Sequence, residues 1–257
     1  MNRYSVVDQR RIVAAVLGGA AAVPAFAPTD VSGLVLWLKA DAGTFQDDAL
    51  TTAASADDAK VGGWVDQSTA GNTVTIADTS KRPTLKLNIL NGKPAVRFAG
   101  SNTWLIKQFG SAYTQPLTIF ALGTASDKNA YWFDVDGSGT NRVAIIFNSA
   151  AQDNTYLFAG AGFQYNFSLP LAATIYTGIV NGASSYIYFN GSQVATGNAG
   201  TNSMGGVTLG ARFTLGDVLN GDLYEILVYD AGLSVTDINR VGNYLNTRWG
   251  ITWTNIT

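Results

Sequence analysis

The sequence predicts an all-β protein, a sandwich or barrel with an N-terminal arm and one short C-terminal helix. Three observations lead there. Short runs rich in Val, Ile, Thr, Tyr, Phe and Trp recur from about Val31 onward, with turn residues between them. The 28 glycines and the repeated Asn-Gly pairs mark tight turns, and 11% aromatic content supplies core material, so the composition points to short strands and not to disorder. Only "LSVTDINRVGNYLNTRWG" carries a helical period outside the arm.

Residues 1–27 couple a basic start with an apolar stretch from Ile12 to Ala27. This layout suits a secretory leader, and Arg10-Arg11 adds a twin-arginine cue, but Asp8 and Pro28 count against cleavage. The stretch is too short, and too broken by Gly18, Gly19 and Pro24, for a membrane span. Residues 1–30 are therefore expected to form an assembly arm, with Arg3, Tyr4, Arg10, Arg11, Ile12, Val16, Leu17 and Phe26 as its contacts. A removable leader and an arm folded back on its own domain are the alternatives. Residues 31–257 are expected to form one domain.

Within that domain strands are expected at 34–40, 72–77, 94–100, 116–123, 129–135, 142–148, 174–181, 184–190, 206–212 and 222–230. Asn91-Gly92, Asn181-Gly182, Asn190-Gly191 and Asn220-Gly221 are candidate type I′ hairpin turns. In the hairpin around Asn190, alternation sets Tyr186 and Tyr188 against Ile187 and Phe189. Ser234 with Asp237 starts the helix, Ile238, Val241 and Leu245 form its apolar stripe, and Gly250 stops it. The helix is expected to lie across a sheet edge or sandwich mouth.

The chemical inventory is narrow. The chain has no His and no Cys, and Glu225 is its single glutamate. A Ser-His-Asp triad, an imidazole base, a thiolate nucleophile and a disulfide framework are excluded. A net charge of -2 with 13% charged residues gives no footprint for nucleic acid, and no glycine loop opens a helix for a nucleotide.

The succession "LVLWLKADAGT", "VGGWVDQSTAGNTVTIA", "NGKPAVRFAGSNTWL", "SSYIYFNGSQVATG", "VTLGAR" and "GDLYEILVYDAGLS" resembles the concanavalin A-like, laminin-G-like jelly-roll superfamily over about residues 31–251. The resemblance implies a jelly-roll β-sandwich. Stand-alone members with a short arm are similar to proteins of tailed bacteriophages and bacteria. It thus implies a non-enzymatic structural or decoration component of a virion exterior: a capsid decoration, head-fibre or tail-associated protein. Its partners would be other virion proteins, itself as a homo-oligomer such as a trimer, and surface glycans. The alternative is an exported bacterial glycan-binding module.

Hydrolases of that superfamily carry two glutamates flanking an aspartate on one strand. Here alternation puts Leu223, Glu225, Leu227 and Tyr229 on one face and Asp222 and Asp230 on the other, so Glu225 is read as a structural carboxylate held by hydrogen bonds or an arginine. Trp64 with Asp66, together with Trp104, Tyr131 and Tyr165, are the candidate glycan-binding residues, combining aromatic platforms with a carboxylate. The competing reading buries Trp64 and uses Asp66 and Ser68 to cap a turn. In "DVDGSGTNR", Asp134, Asp136 and Ser138 have calcium-loop spacing, although Ile145 stands where an EF-hand glutamate belongs and a hairpin turn explains the same residues. No other cofactor is expected. The Gly-and-aromatic run 157–170 is either a recognition loop or a further hairpin.

Overall fold

The computed structural model describes residues 25–126, 130–135, 141–149 and 153–257. The first strands are β1 (Leu34–Lys39), β2 (Thr44–Phe45), β3 (Gly63–Trp64), β4 (Val74–Thr75), β5 (Thr84–Leu90) and β6 (Lys93–Ala99). They are followed by β7 (Leu105–Tyr113), β8 (Leu117–Ala125), β9 (Ala130–Asp134), β10 (Ala144–Ser149), β11 (Asp153–Phe158) and β12 (Gly162–Asn166). The last are β13 (Leu171–Val180), β14 (Ser185–Phe189), β15 (Ser192–Gly197), β16 (Met204–Leu209) and β17 (Asn220–Tyr229), and then one helix, α1 (Val235–Trp249).

Two antiparallel sheets face each other. One has eight strands in the order β15-β14-β13-β8-β17-β6-β5, with β1 added beside the C-terminal half of β17. The other has nine, β12-β11-β10-β9-β16-β7-β4-β3-β2. Leu36, Leu38, Ile119, Trp132, Phe147, Tyr176, Ile226 and Val228 fill the space between them.

On the eight-stranded sheet β8 and β17 are buried along almost their whole length, as expected of strands covered on both faces. Their second face meets α1: Phe120, Leu122, Tyr224, Leu227 and Tyr229 pack with Ile238, Val241, Leu245 and Trp249, and with Trp253 and Ile256 from the segment after the helix. The helix therefore lies on a sheet face and not across an edge or mouth, because the central strands carry apolar residues on both sides. Ser234 Oγ accepts from Asp237 N at 3.1 Å, and Gly250 ends the helix at φ 68°. In the nine-stranded sheet the central β9 and β16 are likewise buried, whereas the edge strand β12 alternates exposed, half-buried, exposed, half-buried, exposed.

The expected strands are all present, with ends shifted by a few residues. Seven further strands, β2, β3, β5, β7, β11, β12 and β15, are absent from those ten ranges because they are short, glycine-containing or interrupted by polar residues, as in "LIKQFGSAY"; β15 is the far arm of the expected Asn190 hairpin. Asn91-Gly92 and Asn190-Gly191 are tight hairpin turns with both φ values positive. The other two pairs are not. Asn181 has φ -151° ahead of a one-turn 3-10 helix, and Asn220-Gly221 opens β17. Gly221 serves close packing there, since a Cβ would stand 2.3 Å from Thr124 O.

Candidate functional site

Each acidic group that the strands carry inward is already engaged. Glu225 is 0% exposed beneath α1. Its carboxylate accepts from Trp37 Nε1 at 2.6 Å, Trp249 Nε1 at 2.5 Å and the Tyr244 hydroxyl at 2.9 Å, and Arg248 Nε lies 3.0 Å away. Burial pushes its pKa up, and these four groups pull it partly back by favouring the charge. Glu225 is thus a structural carboxylate. Its face differs from simple alternation in one respect: the register shifts between Leu223 and Glu225, so Tyr224 and Glu225 both belong to the helix side while Leu223 joins the inter-sheet core. Asp222 takes the Arg97 guanidinium in two bonds of 2.7 and 2.8 Å.

Asp134, also 0% exposed, lies at the end of β9 in the nine-stranded sheet. Arg142 reaches it with Nε at 2.9 Å and Nη2 at 3.0 Å, and the backbone N–H groups of Val135 and Phe213 donate at 2.8 and 3.0 Å. Both carboxylate oxygens are occupied by this fork and by the backbone donors. Arg142 is in turn set against three rings, with its guanidinium 4.8 Å from Phe158, 4.8 Å from Phe213 and 5.9 Å from Tyr131. Burial raises the Tyr131 hydroxyl pKa, against the pull of Arg142.

Around this pair, on the outer face of the nine-stranded sheet, Ile146, Tyr156, Phe158 and Phe213 are half-buried and Tyr131 is 7% exposed. Trp132, Ile145, Phe147 and Leu157 point into the core, which leaves their strand neighbours Tyr131, Ile146, Tyr156 and Phe158 outside both apolar clusters. Register aligns them: Tyr131 faces Ile146, Ile146 faces Tyr156, and Tyr156 faces Gln164, a cross-strand row over β9, β10, β11 and β12. The row is bounded on one side by Phe158, Arg142 and Phe213. An apolar row flanked by a fixed guanidinium and amides can stack a flat ring and donate hydrogen bonds to hydroxyls.

The sequence-derived site residues are scattered. Trp64 is fully buried and its indole N–H donates to Lys39 O at 2.8 Å, so it cannot act as a platform. Asp66 is a turn carboxylate: it accepts from Trp37 N, Ser68 N and Asn72 N at 2.8 Å each and from Ser68 Oγ at 2.7 Å. Trp104 is buried beneath the Lys81 ammonium, 5.0 Å from its ring. Tyr165 turns toward the sandwich flank, edge-on to Phe189 at 5.4 Å. Of the candidates only Tyr131 and Asp134 come together, through Arg142. Asp134 is no open metal ligand, because its oxygens are taken; Asp136 and Ser138 lie outside the described residues, as do Arg3, Tyr4, Arg10, Arg11, Ile12, Val16 and Leu17. No group of three His, Cys, Asp or Glu side chains gathers among the described residues. Phe26 folds back onto its own domain, edge-on to Tyr244 at 6.3 Å and under the Arg240 guanidinium at 4.6 Å.

Arg142, Tyr156 and Phe213 are the outer-face residues that sequence reasoning missed. The signal for Tyr156 was its alternation with Leu157; the partners of Arg142 come from three separate segments. A cavity of about 510 Å³ lies beside α1 between Phe26, Lys93, Tyr244, Thr247 and Arg248.

The sequence matches no family model and no curated protein. Solved structures do match the fold. The receptor binding domain of a botulinum neurotoxin C/D mosaic serotype is 13% identical with a TM-score of 0.57, over 86% of this chain and 55% of the other. A Trypanosoma rangeli sialidase in complex with sialic acid is 13% identical at TM-score 0.55, over 88% of this chain and 35% of the enzyme. Domain 4 of an extracellular arabinanase from Geobacillus stearothermophilus, in complex with arabinotriose, is 12% identical at TM-score 0.50, over 81% of this chain and 98% of that domain. The chain thus spans about a third of the sialidase and about half of the toxin domain. These likenesses place it among jelly-roll β-sandwiches. No helix among the described residues is long and apolar enough to cross a membrane.

Proposed function

We propose that this chain is a non-catalytic carbohydrate-binding sandwich that takes a saccharide on the outer face of its nine-stranded sheet. The observation carrying this reading is the Tyr131–Ile146–Tyr156–Gln164 row beside the Arg142 platform. Tyrosine and phenylalanine rings match the apolar faces of a sugar, while Arg142 and the amides supply hydroxyl partners. Glycoside cleavage by the usual route needs two carboxyl groups roughly 5–10 Å apart across one cleft. Asp134, Asp222 and Glu225 are instead each held by a separate arginine, which favours binding without turnover. The sialic acid and arabinotriose held by two of the similar structures support saccharide as the ligand class. The setting we assign is a display surface: a virion exterior, as the sequence resemblance implies, or a bacterial cell surface.

The test is calorimetric titration of the full chain with a panel of neutral and acidic oligosaccharides. Tyr156→Ala and Phe158→Ala are expected to weaken binding roughly tenfold or more, about 1.4 kcal/mol each, without lowering the melting temperature much. Chromatography of a polysaccharide panel should show no new products. Binding that survives both substitutions but is lost in Lys93→Ala would move the site to the cavity beside α1 and overturn the assignment.

A further inference from the structure

The 58 residues from Asn154 to Ala211 contain no Asp, Glu, Lys or Arg, and the chain has no His, although 13% of all residues are charged. They run from β11 through β16, and the fold gathers two of these strands at one flank. β12 is the outermost strand of the nine-stranded sheet, β15 is the outermost strand of the eight-stranded sheet, and the two lie side by side. The Phe163 ring packs so close to Gly197 that a Cβ there would stand 2.6 Å from it. Tyr165 and Phe167 both meet Phe189 across the same gap. Gln164 and Asn166 on β12, with Ser192, Gln193 and Thr196 on β15, are exposed and uncharged.

Edge strands present a row of unpaired backbone groups, and soluble proteins blunt them with charges, bulges or extreme shortness. The other edges of this sandwich follow that rule. β2 has two residues. β5 carries Lys86, paired to Asp57 and Asp58 at 2.9 Å each, and is broken by Asn88 at φ 56°. On the β12/β15 flank, β12 has none of these defences and β15 has only a bulge at Val194. The flank's composition, tyrosine- and amide-rich and free of charge, is that of a surface that can be desolvated without stranding an ion.

We propose that this flank is the contact between two copies of the chain, made by antiparallel pairing of β12 with β12 about a two-fold axis at Gln164. A neutral flank is self-complementary, since two identical copies meet with no like-charge penalty. Pairing joins the two nine-stranded sheets into one and runs the Tyr131–Ile146–Tyr156–Gln164 row of one copy into that of the other. The contact does not depend on the saccharide reading.

Light scattering with size-exclusion chromatography on the full chain should give twice the chain mass. Gln164→Lys should convert it to a monomer with unchanged circular dichroism and melting curve, while Ser55→Lys, an equal charge on an exposed site elsewhere, should leave the dimer intact. Because the chain lacks cysteine, Gln164→Cys offers an independent readout: facing residues of an antiparallel pair fall within disulfide reach, so mild oxidation should link two chains. Ser55→Cys should not link. A wild-type monomer at all workable concentrations, a Gln164→Lys variant that keeps its mass, or a Gln164→Cys variant that does not cross-link would each overturn the proposal.

Discussion

The outer faces of the two sheets carry the same kind of object and use it differently. Each has a fully buried carboxylate held by an arginine and ringed by aromatics: Glu225 with Arg248, Trp37, Trp249 and Tyr244, and Asp134 with Arg142, Tyr131, Phe158 and Phe213. Over Glu225 the chain lays α1 and the segment to Ile256; against Asp134 it sets the Arg142 side chain and the loop backbone at Phe213. The first cluster is closed and ties the helix to the sheet. The second has no helix over it, and two of its rings, Phe158 and Phe213, are half-buried while Tyr131 is buried. The contrast teaches that a buried ion pair does not mark function by itself; what covers the pair decides whether its surroundings are free to meet a ligand.

The sharpest way to break this comparison is Glu225→Ala. It leaves two indole N–H groups and a hydroxyl without their acceptor and takes from Arg248 one of its two carboxylates, Asp41 being the other, and about 3–5 kcal/mol of unfolding free energy should be lost. Urea denaturation measures it, and a loss below about 1 kcal/mol would show that the closed cluster does not hold the helix. Asp134→Ala should come next at about 2–4 kcal/mol, because Arg142 is left with a charge that is largely buried and two backbone donors lose their partner. It should also weaken saccharide binding, since Phe213 and Arg142 are positioned through this carboxylate, whereas Glu225→Gln should leave affinity unchanged. Equal effects of the two on affinity would erase the distinction between the faces.

Smaller is Gly242→Ala, on the buried side of α1. A helix interior normally gains about 1 kcal/mol from this change, but here the new Cβ would stand 2.1 Å from the Trp253 ring. Displacing the indole should cost about 1–3 kcal/mol, giving a net loss in the same denaturation assay. The smallest effect is a slope. Burial holds the Glu225 pKa above the ordinary value of 4.5, so between that value and its raised folded value the native state keeps a proton that the unfolded chain releases. Stability relative to Glu225→Gln should therefore fall as pH rises through that interval and then level off. A difference that grew with pH would mean that the four hydrogen-bonding and charged partners outweigh burial.

Much of the frame is legible in the sequence. The unbroken apolar run of "PLTIFALG" belongs to a strand covered on both faces, and Ser234 and Gly250 bracket the helix as written. A lone glutamate in an apolar strand had to find partners, and it did. Which partners was not legible: Trp37 stands 188 residues from Glu225 in sequence, and register, which no local pattern encodes, brings them together. The same holds for the outer face. Alternation separates Tyr131 from Trp132, but only strand pairing sets Tyr131 in line with Ile146 and Tyr156. Trp64 and Asp66 stood between two readings because a tryptophan beside a carboxylate reads alike in a binding rim and in a capped turn over a core; the buried, turn-capping reading is the one the structure bears out. The Asn220-Gly221 turn misled because glycine serves close approach as readily as left-handed angles.

The pairing of β1 with β17 also sets a timetable for the nascent chain. Leu34–Lys39, almost wholly apolar, emerges from the ribosome early, yet its partner Glu225–Tyr229 follows 188 residues later for the Trp37–Glu225 contact. At roughly 5–20 residues per second, translation holds that strand unpaired for roughly 10–40 s. The eight-stranded sheet cannot close around it until β17 has been made, and "LVLWLK" is the stretch that holdase chaperones will find waiting.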